Sequence, residues 1–169
     1  MSRYRGIRYF AYVLEILVLF MVQETPGLLP AVFRERPVLL LPAALSIAFF
    51  ETDLSAMAFG VLCGLFLDFG MGMAFGFHGL FLGVLCFLLG KLATDLIRTN
   101  LLLALLAGLA GTVVVLSLQW FFCYFLYGYE HPGYAFLYHY LPRMAYTWVF
   151  MPVTYYFNRA LAIFLRERE

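Results

Sequence analysis

The chain has 169 residues, of which 64% are hydrophobic and 12% charged, against roughly 45–50% apolar and about 25% charged in typical soluble domains. A soluble fold of this size cannot cover that much apolar surface, so lipid is the expected solvent. A net charge of +1 excludes bulk attraction to nucleic acid.

The N-terminus, MSRYRGIRYFAYVLEILVLFMVQ, carries Arg3, Arg5 and Arg8 ahead of an apolar run. No small-residue cleavage site follows and Glu15 interrupts the run, so it reads as a retained membrane helix rather than a signal peptide. A membrane helix needs ~20 mostly apolar residues. The spans expected on this basis are 7–22, 37–50, 54–69, 75–94, 101–127 and 141–165, in one all-α domain. The second and third, short and separated by Glu51, Thr52 and Asp53, read as one broken hairpin. Asp53 and Asn100 are placed to cap the third and fifth helices. Gly70 and Gly72 break the chain after the third, and 127–134 is a turn-rich loop.

Lysine and arginine set the orientation. With the N-terminus inside, Arg3, Arg5, Arg8, Lys91, Arg98, Arg159, Arg166 and Arg168 lie inside, and Arg34, Arg36 and Arg143 outside. Both termini are then cytoplasmic.

Asp68 stands in a run of apolar residues and glycines, GVLCGLFLDFGMGMAFG. An anion in the last turn of a helix opposes that helix's dipole, and ionisable groups in membrane segments usually have a protein partner. The expected partner is an arginine of the same side, Arg143 first, with Arg34 and Arg36 as alternatives. Gly60, Gly64 and Asp68 recur every four residues and share a helix face. Gly72 and Gly76, Gly79 and Gly83, and Gly108 and Gly111 repeat the small-residue spacing that lets membrane helices approach. Internal packing is the expected use, a partner helix the other.

Glu15 is expected to have a structural partner, since no polar ladder for a transport relay accompanies it. Lys91 is placed to reach the inner interface. His78, Glu130, His131 and His139 fall on the outer side without a compact metal spacing and read as solvated loop groups. The tyrosine-rich segment 134–140 reads as an interfacial belt, or else a docking patch. Cys63, Cys86 and Cys123 read as small packing residues. No zinc-helix, nucleophile-elbow or phosphate-loop motif occurs, and Ser46, Ser55 and Ser117 have no histidine at a catalytic spacing. This argues against an enzyme.

The stretch from Arg36 to Cys86 resembles MreD, the rod shape-determining membrane protein family of bacteria. Pro37 matches a proline that opens the second segment. Gly60, Gly64, Leu65 and Asp68 match a G-x-x-x-G-L-x-x-D element. Gly72 and Gly76 match a turn glycine and the leading glycine of the next helix. A proline-led last helix (Pro142) and a short basic tail fit by length and hydropathy. The resemblance implies a non-catalytic scaffold in the cytoplasmic membrane. Such a scaffold works with the bitopic protein MreC, the actin-like MreB, the glycosyltransferase RodA and a penicillin-binding transpeptidase to elongate the lateral wall. It implies no cofactor. The family is also similar to the six-helix substrate-binding subunits of energy-coupling-factor vitamin transporters. On that rival reading, Asp68, His78, His131, His139 and Arg143 line an outer ligand pocket, and Ala104, Gly108 and Thr112 form a groove for a coupling subunit.

Overall fold

A computed structural model describes residues 3–28, 30, 36–71, 75–93, 101–125, 128 and 132–166. Every regular element among them is helical. The order is α1 (Arg3–Glu24), α2 (Leu40–Phe50), α3 (Asp53–Met71), α4 (Phe77–Leu92), α5 (Leu101–Trp120), α6 (Pro132–Ala135), α7 (Leu141–Val149) and α8 (Met151–Arg166). Wider π-type turns extend α5 through Phe121–Phe125 and link α6 to α7 through Phe136–Tyr140.

Three of these helices are long and apolar enough to cross a membrane: Arg5–Glu24, Asp53–Met71 and Leu101–Phe125. Each turns large apolar side chains outward as well as inward. Phe10, Met21, Phe69 and Leu102 are about 70% exposed, at 69%, 68%, 70% and 71%. Helices apolar all round are suited to lipid. The apolar α2 and α4 are shorter.

α2 is the post around which the others stand. All eleven of its residues are buried, and it packs against α1, α3, α4, α5, α7 and α8. At ~1.5 Å per residue it is about 16 Å long, half the ~30 Å hydrocarbon thickness. It therefore lies sheathed in protein. The expected span beginning at residue 37 opens with a short buried stretch ahead of the helix: the Val38 N–H donates to Thr147 Oγ1 at 3.0 Å, and the helix starts at Leu40.

The expected last span, 141–165, is two helices that meet at Phe150. Pro152 has no N–H for the Trp148 carbonyl, and its ring clashes with that carbonyl in a continuous helix. The Phe150 N–H instead bonds the Thr147 carbonyl at 3.2 Å, tightening the end of α7. Thr154 repairs the exposed polarity nearby, its hydroxyl lying 3.1–3.3 Å from the carbonyls of Pro42, Phe150 and Met151. At the start of α3, Thr52 rather than Asp53 holds the capping position: the Ala56 N–H bonds the Thr52 carbonyl at 2.8 Å, and Asp53 is already helical.

One end of the bundle gathers the start of α1, the end of α2 and the start of α3. There Arg8 Nε lies 2.6 Å from Glu51 Oε1, with both side chains buried. The Tyr9 and Ser55 hydroxyls are 2.6 Å apart, and Tyr9 and Tyr12 meet Phe59 edge-on. Arg8, expected as an interfacial cation, is thus an internal one. A third polar cluster lies deeper. Asn158 Nδ2 is 3.0 Å from Glu15 Oε1, 2.8 Å from Ser46 Oγ and 2.9 Å from the Thr154 carbonyl. Glu15 has the structural partner expected of it.

Candidate functional site

The candidate site is the α3–α4 hairpin, which carries Gly60, Gly64, Asp68 and Gly76. Among the described residues α3 and α4 form the most extensive helix pair, and glycines make it possible. A Cβ on Gly60 would stand 2.7 Å from the Leu82 carbonyl oxygen and 2.8 Å from Cys86 Cβ. On Gly64 it would overlap the His78 carbonyl and the backbone of Gly79. From the other side, a Cβ on Gly83 would stand 2.6 Å from Val61 Cγ2, and one on Gly90 3.0 Å from Asp53 Cα. Helix backbones this close gain dispersion contacts along their length, which is the main attraction between helices in lipid. The Gly60–Gly64–Asp68 face is therefore covered by α4.

Asp68 ends that face, and its carboxylate meets the first turn of α4. Oδ2 accepts the Gly76 N–H at 2.8 Å and lies 3.4 Å from the Gly79 nitrogen. Oδ1 accepts the His78 N–H at 3.0 Å and lies 2.7 Å from His78 Nδ1. The first N–H groups of a helix have no partner within it. Here a neighbouring helix supplies one, a capping carboxylate delivered across the hairpin. The expected conflict with the α3 dipole is offset because the same charge sits at the positive end of α4. Asp68 is 1% exposed and His78 1%.

This corrects two expectations. Asp68 is paired with His78 and backbone N–H groups rather than with Arg143 or Arg36. His78 is buried in α4 rather than solvated in a loop. His78 Nδ1 is placed to donate to the carboxylate. Nε2 has no hydrogen-bond partner among the described residues.

Gly76 precedes α4 with φ +98°. Nothing lies within 4 Å of a Cβ there, so glycine answers to the backbone, not to space. This left-handed turn aims the Gly76 N–H at Asp68. Pro37 is buried at the entry to α2. Gly72 lies outside the described residues, as do Arg34, Glu130 and His131.

Arg143 in α7 is at the same end of the bundle, with Nη2 3.9 Å from Met71 Sδ; Gln119 Nε2 lies 3.5 Å from the same sulfur. Arg143, His139, Tyr124 and Tyr140 line a polar recess of about 230 Å³. The expected groove of Ala104, Gly108 and Thr112 is occupied from within. Ala104 is fully buried, Met151 fills the space over Gly108, and Leu45 and Leu85 fill that over Gly111. The Thr112 hydroxyl donates to the Gly108 carbonyl at 2.8 Å.

The arrangement holds two helices at fixed separation and register. Among the described residues, no group of three or more His, Cys, Asp or Glu side chains is placed to hold a metal ion. Comparison with protein-family models, with curated proteins and with solved structures finds no match for this chain.

Proposed function

We propose that the chain is a non-catalytic, multi-pass scaffold of the bacterial cytoplasmic membrane, serving the machinery that elongates the lateral cell wall. The observation that carries this reading is the use made of Gly60, Gly64, Asp68 and Gly76. These four of the residues on which the MreD resemblance rests are taken up in locking α3 to α4 through helix contact and the four contacts of Asp68. Such an element builds a stable shape for others to bind. Three long apolar helices suit a membrane protein; on this proposal α4 and the α7–α8 pair also cross, and α2 with the residues leading into it makes up the sixth pass inside the protein sheath. Arg8 with Glu51 and Lys91 then lie towards the cytoplasm, with Asp68 and Arg143 towards the outside. The partners are those the resemblance names: an MreC-like bitopic protein, actin-like MreB, a RodA-type glycosyltransferase and a penicillin-binding transpeptidase.

Depletion in a rod-shaped host that encodes the chain tests the proposal. Cells should round up, and the wild-type gene should restore rods. Unchanged cell width and length after full depletion rules the scaffold out. A vitamin-transporter subunit is the second reading, and the polar recess beside Arg143 favours it. Its volume of about 230 Å³ falls below the ~300–1,000 Å³ usual for small-molecule sites. A stoichiometric metabolite in the purified protein would put this reading first.

A further inference from the structure

Two of the three membrane-length helices end near the polar recess beside Arg143. α3 closes at Met71, and the apolar span that contains α5 closes at Phe125. That span has 25 residues and is about 37 Å long at ~1.5 Å per residue. Centred on a hydrocarbon core of ~30 Å, it puts its last turn in the headgroup layer. Tyr124 belongs to this last turn. It lines the recess of about 230 Å³ together with His139 and Tyr140 from the turns ahead of α7, and Arg143 from α7 itself. The same turns hold Leu137 and Tyr138 outward, each 59% exposed, and Tyr138 stacks on Tyr134 with ring centroids 4.4 Å apart. Outward tyrosines of this kind settle at the membrane–water boundary. Helix length and aromatic placement therefore agree on the depth of the recess.

The chemistry of the lining selects the ligand. One guanidinium, one imidazole and two phenols surround the hollow, all able to donate hydrogen bonds, and none of the four residues carries a negative charge. Arg143 Nη2 lies 3.9 Å from Met71 Sδ, a neutral and weak acceptor. A guanidinium has five N–H donors, so contacts within the bundle leave others for a ligand. Its planar fork fits carboxylate or phosphate. Four donor-bearing residues around one hollow match the several oxygens of a phosphate better than the two of a carboxylate. The volume, below the ~300–1,000 Å³ of drug-sized ligands, suits a headgroup better than a whole metabolite. We propose that this recess binds a phosphate group, carried by a lipid of the surrounding leaflet or by a soluble phosphate. Arg143 is its main anion ligand, and Tyr124, His139 and Tyr140 supply further donors. The site stands whether or not the chain serves wall synthesis.

The test is thermal melting of the delipidated full-length chain in a neutral detergent without phosphate. The probes are inorganic phosphate, with acetate and chloride at equal ionic strength as controls, and phosphatidylglycerol, with diacylglycerol of the same chains as its control. Both phosphate-bearing probes should raise the melting temperature saturably, by about 3–6 °C at ten times the dissociation constant, and the controls should not. Arg143→Gln should weaken both at least ten-fold, and Arg143→Lys, which keeps the charge but not the fork, about three-fold. Tyr124→Phe should weaken them about three- to ten-fold, with the unliganded melting temperature unchanged within ~2 °C. Tighter binding of phosphatidylglycerol than of inorganic phosphate identifies a lipid headgroup as the source, and the reverse order a soluble phosphate. No shift with either phosphate probe overturns the proposal. So does an equal shift with diacylglycerol, which would place the acyl chains and not the headgroup in the protein, or with acetate, which would make this a carboxylate site. Arg143→Lys and Tyr124→Phe keep the charge and the ring, and decide the matter if Arg143→Gln fails to fold: undiminished affinity in both overturns the site.

Discussion

Truncating Asp68 to alanine removes the acceptor for three short contacts, at 2.7, 2.8 and 3.0 Å, and a longer one at 3.4 Å. Hydrogen bonds to a charged group contribute ~1.5–3 kcal/mol each, so a plain sum for the three short ones reaches about 9 kcal/mol. That sum overstates the loss. The Gly76 contact is only partly buried, so water can replace it there, and contacts that share one carboxylate are not additive. Breaking a buried pair by removing one member costs ~3–5 kcal/mol, and we expect Asp68→Ala to fall in that range. For a chain of this size ~1 kcal/mol moves the melting temperature by about 2–4 °C, so the drop should be about 6–20 °C. Asp68→Asn keeps one acceptor oxygen and sets an NH₂ against α4 donors, which should cost about half as much. His78→Phe removes the side-chain contact but leaves the carboxylate on backbone N–H groups, costing about 1–2 kcal/mol. The assay is intrinsic-fluorescence melting of detergent-purified protein, with Arg143→Gln in parallel. A drop under ~3 °C for Asp68→Ala refutes the reasoning, since it equals about 1 kcal/mol. So does an Arg143→Gln drop as large as that of Asp68→Ala with His78→Phe silent.

Three further outcomes are expected in the same melting assay. Gly64→Ala drives a Cβ into the His78 carbonyl and the Gly79 backbone, and overpacking of this kind costs ~1–3 kcal/mol. Gly6→Ala, with nothing within 4 Å, should be neutral or stabilising by up to ~1 kcal/mol; equal drops for the two would contradict the account. Gly76→Ala should lose ~1–2 kcal/mol from the left-handed backbone alone, although its Cβ would meet nothing. An unchanged midpoint would mean that this turn does not hold φ +98°. Arg8→Met or Glu51→Leu alone removes one member of a buried ion pair and should cost ~3–5 kcal/mol, whereas the double variant should recover at least half of it. Additive losses would show that Arg8 and Glu51 are not paired.

Much of the site was legible in the sequence, and its limits follow from the range over which each signal acts. The four-residue spacing of Gly60, Gly64 and Asp68 places them on one face whatever that face meets. The isolation of Asp68 among apolar residues marks it as a paired group. The identity of its partner was harder to read. The dipole of α3 argued for a cation, but a hairpin folds the N-terminus of α4 back onto the same carboxylate, and that terminus supplies the positive end. His78 falls within the span expected at 75–94, and its place at the outer end of that span, beside the loop histidines, made it read as solvated; only the fold of the hairpin brings Asp68 over it. Pro152 was a readable break that hydropathy averaging smoothed over, so α7 and α8 merged into one span. The buried pairings of Arg8 with Glu51 and of Glu15 with Asn158 join residues 43 and 143 positions apart, and no local pattern encodes such contacts.

The scaffold reading is tested most directly by mild-detergent affinity purification from native membranes, with mass spectrometry of both proteins and small molecules. The account predicts an MreC-like protein and wall-synthesis enzymes in the eluate, with no stoichiometric metabolite. Two ATPases and a coupling subunit, with a vitamin bound in equal amount to the chain, would contradict it and make the recess beside Arg143 a ligand site.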